Sequence, residues 1–382
     1  WQAWAQRLVQ AGPMQFYSPD YFSDYFPGYL YILWFLGNSF NTLFPQLPIF
    51  SLGFEIYLKA FTTMFDIATA YYIYKITSRY QKKISLLAAI FYLANPAIAF
   101  NSSAWGQVDG ILTFFLIYSA YSLLELKNTY RFSIFTAFSL LVKPQGLAIF
   151  PIEIIYFFTH FKFKRYLSLF LIPIFLIILS LPFFLKDPVL GLLHQFQKST
   201  LIYPFISIFA YNFWFFFGWW KSDLIKFLGL TYQIWGAIIF LITIAAILGL
   251  LIIKKAYKNN LLIYFAMALS SFAFFLFLTR MHERYLFPFF AFLAITAFIK
   301  NSVKLIIIYV ILSLIHLINL WYVYYYYNYV YSNPKLSSFF IYHFIDANPN
   351  VFTFLTLLGF LFLILIYYQF VHDEKNHIQK VT

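Results

Sequence analysis

The sequence predicts an all-α fold, a polytopic transmembrane helical bundle, and three observations carry that prediction. Hydrophobic residues make up 63% of the 382 and charged residues only 10%, whereas a soluble domain is nearer half apolar and a quarter charged. Apolar windows of roughly 18 to 25 residues recur from end to end, long enough for helices to cross a bilayer. The alternation that marks a membrane β-barrel is absent. The net charge of +13 does not point to nucleic acid, because the basic residues fall in short clusters between apolar runs, the pattern that sets membrane topology. With no cysteine there is no disulfide framework, thiol nucleophile or thiolate metal site. No internal repeat is visible.

The apolar runs predict about eleven spans: 53–77, 84–101, 108–126, 131–142, 146–160, 166–185, 231–253, 261–279, 285–299, 303–327 and 351–370. Their connections alternate in character. One set is short and basic: Arg79, Lys82 and Lys83; Lys127 and Arg131; Lys162, Lys164 and Arg165; Lys254, Lys255 and Lys258; Lys300 and Lys304; Lys375 and Lys380. These read as cytoplasmic loops. The other set (1–52, 102–107, 186–230 and 328–350) is longer and aromatic and reads as extracytoplasmic. This gives a core module over 1–185, an aromatic outer loop over 186–230 and a second membrane module over 231–382. The tyrosine-rich run 321–331 fits an interfacial aromatic belt or a stacking surface for sugar rings. Because an odd number of spans begins outside and ends inside, a further span is expected before Trp1, making about twelve.

Four polar patches fall on the predicted outer face. Ser23-Asp24-Tyr25-Phe26-Pro27-Gly28 places a carboxylate at a turn before an apolar helix, either as a helix cap or as a site. Ser103-Ala104-Trp105-Gly106-Gln107-Val108-Asp109-Gly110 is a tight turn that either caps the next helix or presents polar groups to a ligand. Val142-Lys143-Pro144-Gln145-Gly146 breaks an apolar hairpin, so Lys143 either reaches the interface or binds an anion. Arg280-Met281-His282-Glu283-Arg284 concentrates charge between two apolar runs. If helical, it puts Arg280 and Arg284 on one face, apt for a phosphate because guanidinium donates two hydrogen bonds at once. Alternatively, Glu283 pairs with one arginine in a structural knot. Within the spans, Glu55 and Lys59 have favourable helical spacing, Asp66 requires another partner, and His316 with Asn319 suits bonding between helices.

Carboxylates and fixed cations at a bilayer surface suit a substrate with a phosphate headgroup and a lipid tail. In a sugar-phospholipid the phosphate is already a good leaving group, so no general acid is needed. One carboxylate takes the proton of the attacking hydroxyl, and preorganised cations hold the charge that grows on the phosphate. This scheme needs neither metal nor cofactor.

The segments WAQRLVQAGPMQFY (4–17), SDYFPGYLYILW (23–34), SSAWGQVDG (102–110), VKPQG (142–146), YPFISIFAYNFW (203–214) and MHERYLFP (281–288) occur in the order seen in the GT-C superfamily. The chain resembles these integral-membrane glycosyltransferases over most of its length. Each motif is weak alone, and the ordered set speaks for the superfamily rather than for a substrate. The resemblance implies transfer of a hexose, mannose or glucose, from a polyprenyl-phosphate sugar, with inversion. The acceptor would be a glycan, glycolipid or protein at the extracytoplasmic face of the cytoplasmic (plasma) membrane. His282, Glu283 and Arg284 match the segment that helps hold the donor phosphate, with Arg280 and Lys143 as further phosphate ligands. Asp24 matches the family's acidic residue, although Asp24-Tyr25-Phe26-Pro27 replaces one of its prolines. Asp24 and Asp109 are the catalytic candidates within the chain, the main base being expected upstream of Trp1. Tyr25, Trp105, Gln107, Gln145, Tyr211 and Asn212 are candidate substrate contacts. The rival readings are a polysaccharide ligase or polymerase using a lipid-diphosphate donor, a lipid-glycan transporter, and a non-catalytic subunit that binds glycolipid.

Overall fold

The computed structural model describes residues 1–381, with side chains through Asp373; the basic pair Lys375 and Lys380 lies outside the described side chains. The chain is overwhelmingly α-helical, and its only named strands among the described residues, Lys226–Phe227 and Leu230–Thr231, form a small antiparallel ribbon.

Local chemistry sets many helix ends. Proline occupies the first turn of Pro27–Leu43, Pro96–Ala99 and Pro188–Leu201, where its missing N–H is no loss. Thr231, Asn259 and Ser302 accept backbone N–H bonds at the starts of Tyr232–Ile253, Asn260–Phe277 and Val303–Tyr325, supplying partners that a helix terminus lacks. Helix Phe287–Lys300 ends at Asn301 in the left-handed conformation, φ 51°, which asparagine tolerates better than most residues.

The chain divides into two compact units assembled from interleaved segments. One comprises Trp1–Thr69, Ser102–Leu147 and Phe161–Tyr203; the other comprises Ala70–Asn101, Ala148–His160 and Pro204–Thr382. The centre of the first is the antiparallel hairpin of Asp109–Leu124 and Thr129–Val142, closed by Asn128, whose side chain caps the second helix. Helix Pro27–Leu43 packs so closely on this hairpin that a Cβ at Gly28 would lie 2.6 Å from the Leu141 backbone. The centre of the second unit is the pair Asn260–Phe277 and Phe287–Lys300, buried along nearly its whole length.

Among the described residues, five helices are long and apolar enough to cross a membrane by length and composition: Phe163–Ser180, Tyr232–Ile253, Asn260–Phe277, Val303–Val330 and Pro349–Asp373. A sixth arises if Lys82–Leu93 and Pro96–Ala104, bent by 47°, act as one. The remaining runs read as spans differ for physical reasons. Thr129–Val142 and Phe287–Lys300 have 14 residues each and Phe150–His160 has 11, so each measures about 21 Å or less against a hydrocarbon core of about 30 Å. Asp109–Leu124 has 16 residues. Leu52–Thr77 is long but carries Glu55, Lys59, Asp66 and Lys75.

Candidate functional site

The first unit contains Asp24, Tyr25, Trp105, Gln107, Asp109, Lys143 and Gln145. Asp109 opens one hairpin helix and Lys143 follows the last residue of the other, so chain reversal brings them to the same end. Lys143 Nζ donates to Asp109 Oδ1 at 2.7 Å, with 4% and 2% of their side chains exposed. The ammonium also lies 5.6 Å from the centre of the Tyr25 ring, within cation–π range. Lys143 therefore neither reaches outward nor stands ready for an anion in this structure; it neutralises a buried carboxylate. Such a pair is defended chiefly by the cost of leaving either charge alone.

Asp66 is also buried here. A Cβ at Gly110 would lie 2.5 Å from Asp66 Oδ1 and 3.2 Å from Ser102 Oγ. The carboxylate thus rests against the first turn of Asp109–Leu124, beside the positive end of that helix. Glycine is the residue that permits so close an approach. Gln107 and Gln145 each keep a buried amide oxygen.

Asp24 is not the cap of the helix that follows. Phe26 occupies that position and makes no side-chain cap bond. Instead, the Asp24 loop is pinned around its backbone. Tyr17 donates its hydroxyl to the Tyr25 carbonyl at 2.7 Å, and buried Gln195 donates to the carbonyls of Ser23 and Tyr25 at 3.1 and 3.2 Å. Burial pushes the Tyr17 phenol well above its ordinary value, and the charge of Asp24 adds to the effect.

The second unit contains Tyr211, Asn212, Arg280, His282, Glu283 and Arg284. The helix that would put both arginines on one face stops at Phe277, and a 3₁₀ turn begins only at Glu283. Between them the chain runs as an irregular ribbon against the aromatic loop: Arg280 N donates to Phe205 O at 2.9 Å and Ile208 N to Met281 O at 3.0 Å. Arg280 takes a left-handed φ of 65°. Its guanidinium grips fully buried Asp223 through two bonds, Nε to Oδ2 at 2.7 Å and Nη2 to Oδ1 at 3.1 Å, while Thr279 adds a third at 2.8 Å. That planar, two-bond geometry occupies Arg280 with fastening the loop.

His282, Glu283 and Arg284 form a different arrangement. Glu283 has 1% of its side chain exposed and stands between two basic groups: Arg284 Nη1 donates to its Oε1 at 2.8 Å, and His282 Nδ1 lies 3.9 Å from its Oε2. His282 and Arg284 retain 15% and 14% exposure, so the acid is sealed and the two basic side chains are mostly buried, each with a small exposed share.

Tyr211 and Asn212 are buried in the framework of this unit. Asn319 accepts from Tyr211 N at 3.2 Å and donates to Phe209 O at 2.7 Å, tying the aromatic loop to helix Val303–Tyr325. Burial raises the Tyr211 phenol above its ordinary value, with the charge of Asp346 adding to it. In the tyrosine run, Tyr322 is buried and donates to Asp346 at 2.6 Å, whereas Tyr327, Tyr329 and Tyr331 are exposed. The run therefore splits between core and surface.

Sequence reasoning overlooked Asp223, an acid within an aromatic stretch of the outer loop. The only signal was the oddity of a carboxylate there, and nothing local named Arg280, 57 positions on, as its partner. The sequence matches no family model and no curated protein.

Proposed function

We propose that this chain is a membrane glycosyltransferase of the GT-C type. In this reading it transfers a hexose from a polyprenyl-phosphate donor to a lipid-linked glycan, glycolipid or protein at the extracytoplasmic face. The observation that carries the reading is the arrangement of His282 and Arg284 on one sealed carboxylate, Glu283. The buried acid fixes the Arg284 guanidinium by a hydrogen bond, with the His282 imidazole beside it, and a cation fixed in advance stabilises developing phosphate charge better than a mobile one. The order of the sequence motifs and the apolar helices support a lipid-borne substrate.

The reaction forms a bond between the acceptor oxygen and the anomeric carbon as the bond from that carbon to the phosphate oxygen breaks. Polyprenyl phosphate leaves with the bonding electrons, and the acceptor proton passes to a carboxylate. Asp24, half-buried in a pinned loop, suits proton acceptance. Asp109, already committed to Lys143, suits a positioning role.

The test is transfer of labelled mannose or glucose from polyprenyl phosphate by the purified full-length protein in lipid nanodiscs. His282→Ala and Arg284→Ala are expected to lower turnover by about ten- to a hundredfold, the range for losing a hydrogen bond to a charged group. Wild-type turnover in both variants would sink the phosphate role. The bent pair Lys82–Leu93 and Pro96–Ala104 favours the rival transporter reading, because broken helices frequently carry transport sites. Movement of a fluorescent lipid-linked glycan across liposomes without sugar transfer would decide for that rival.

A further inference from the structure

A cleft of about 380 Å³ opens in the first unit between the start of helix Leu52–Thr77 and the turn before Asp109. That volume lies within the range of small-ligand sites, roughly 300–1,000 Å³. Trp1, Phe50, Glu55, Lys59, Trp105 and Gly106 form most of its wall. The donor-phosphate reading uses neither Glu55 nor Lys59.

The wall combines two kinds of surface. Trp1 and Trp105 provide aromatic faces, and Trp1 is braced rather than loose. Its indole N–H donates to the Gly106 carbonyl at 2.9 Å, and its ring makes edge contacts with Trp4, Tyr25 and Tyr29 at centroid distances of 5.2, 4.9 and 5.0 Å. Gly106, at φ 76°, gives the turn its left-handed bend, and the Lys59 stem lies where its Cβ would be, 3.1 Å away. The polar component is the Glu55–Lys59 pair, joined at 2.5 Å with 46% and 23% of the side chains exposed.

The charge balance selects the ligand class. Among the cleft's side chains one carboxylate and one ammonium cancel, so these side chains offer an anion no net attraction. An exposed helical pair of this spacing contributes only about 0.3–0.5 kcal/mol to stability, so each partner can exchange its bond for one to a ligand hydroxyl at little cost. A braced indole beside a carboxylate and an ammonium complements a neutral polyhydroxylated ring: apolar C–H groups lie on the aromatic face and hydroxyls meet the two charged groups. The geometry points to a saccharide subsite at this cleft, binding the neutral hexose units of an acceptor glycan through Trp105, Glu55 and Lys59. Its assignment to the acceptor rests on the transferase reading; its affinity for a neutral saccharide does not.

The experiment uses the whole chain in nanodiscs, without donor. A panel of neutral glucose, mannose and galactose disaccharides is titrated by calorimetry and by saturation-transfer NMR, with inorganic phosphate as the anionic competitor. The expected result is saturable binding of at least one disaccharide that phosphate does not displace. Trp105→Ala should weaken it about tenfold, as expected for loss of an aromatic platform plus its buried area. Trp105→Phe should retain most of it, and Glu55→Gln, at a half-exposed position that does not threaten folding, should weaken it severalfold. Binding of no disaccharide up to its solubility limit, equal binding by Trp105→Ala and Glu55→Gln, or displacement by phosphate would each overturn the proposal. Disaccharide binding that depends on Trp105, in a protein that transfers no sugar, would remove the transferase reading and leave the subsite. Transfer without such binding would do the reverse.

Discussion

The two units handle buried charge in opposite ways. In the first, Asp109 and Lys143 form a closed one-to-one pair with almost no exposed surface. In the second, one sealed acid, Glu283, serves two basic groups that both remain partly exposed. Two buried charges that cancel constitute a structural element, since removing either leaves the other stranded. A buried acid that bonds an arginine and has an imidazole 3.9 Å away is a holder, because it fixes the place of basic groups that keep some exposed surface. The same second unit contains a further pair a few residues away, in which Arg280, 14% exposed like Arg284, is bonded to fully buried Asp223. Exposure therefore does not separate the two arginines; the two-pronged grip of Asp223 on Arg280 does.

The most forceful way to break this contrast is Asp109→Ala, which strands the Lys143 ammonium. The expected loss is about 3–5 kcal/mol of stability, read as a lower thermal midpoint in detergent or nanodiscs. Adding Lys143→Met should recover much of that loss, and a double variant no better than the single would show that the two charges do not depend on one another. Next comes Gly28→Ala, where the new methyl meets Leu141 backbone at 2.6 Å. Backbone cannot swing aside as a side-chain tip can, so about 1–3 kcal/mol of destabilisation is expected, with Gly28→Ser at least as damaging. Arg280→Lys sharpens the contrast within the second unit. A lysine keeps the charge but loses the two-pronged grip on Asp223, and a cost of about 1–2 kcal/mol should appear in stability. Transfer by the folded fraction should change much less than in Arg284→Lys; equal losses would place Arg280 with the holder. The smallest effect belongs to Lys59→Met. Removing an exposed i,i+4 pair should move stability by no more than about 0.5 kcal/mol, a shift in thermal midpoint near the limit of detection.

Much of this organisation is legible in the sequence, and the gaps have identifiable causes. Tyr232–Ile253 and Pro349–Asp373 stand out because an uninterrupted apolar run needs no partner to be recognised. Asn260–Phe277 and Phe287–Lys300 read as membrane spans equally well, yet both are wrapped by protein over nearly their whole length. Hydropathy registers the absence of water and does not distinguish lipid from protein interior. Polar islands are equally conspicuous in an apolar chain, which is why Asp24, Asp109, Lys143 and the 280–284 segment can be picked out. Their pairings cannot. Nothing near Asp109 names Lys143 rather than Lys127 as its counter-ion; that follows from the length of the hairpin, which returns the chain to its starting level after 34 positions. The local backbone of 278–282 misleads because Leu278 and Thr279 are compatible with helix, while the bonds from Arg280 and Ile208 recruit the segment to the aromatic loop instead.

The separation of Asp109 and Lys143 along the chain also has a consequence in time. Ribosomes add about 5–20 residues per second, so Asp109 is made roughly two to seven seconds before the lysine that neutralises it. During that interval the first hairpin helix holds a carboxylate without the ammonium that neutralises it. An unpaired carboxylate is costly to bury away from water, so the growing chain favours keeping that end of the helix near water until its antiparallel partner arrives.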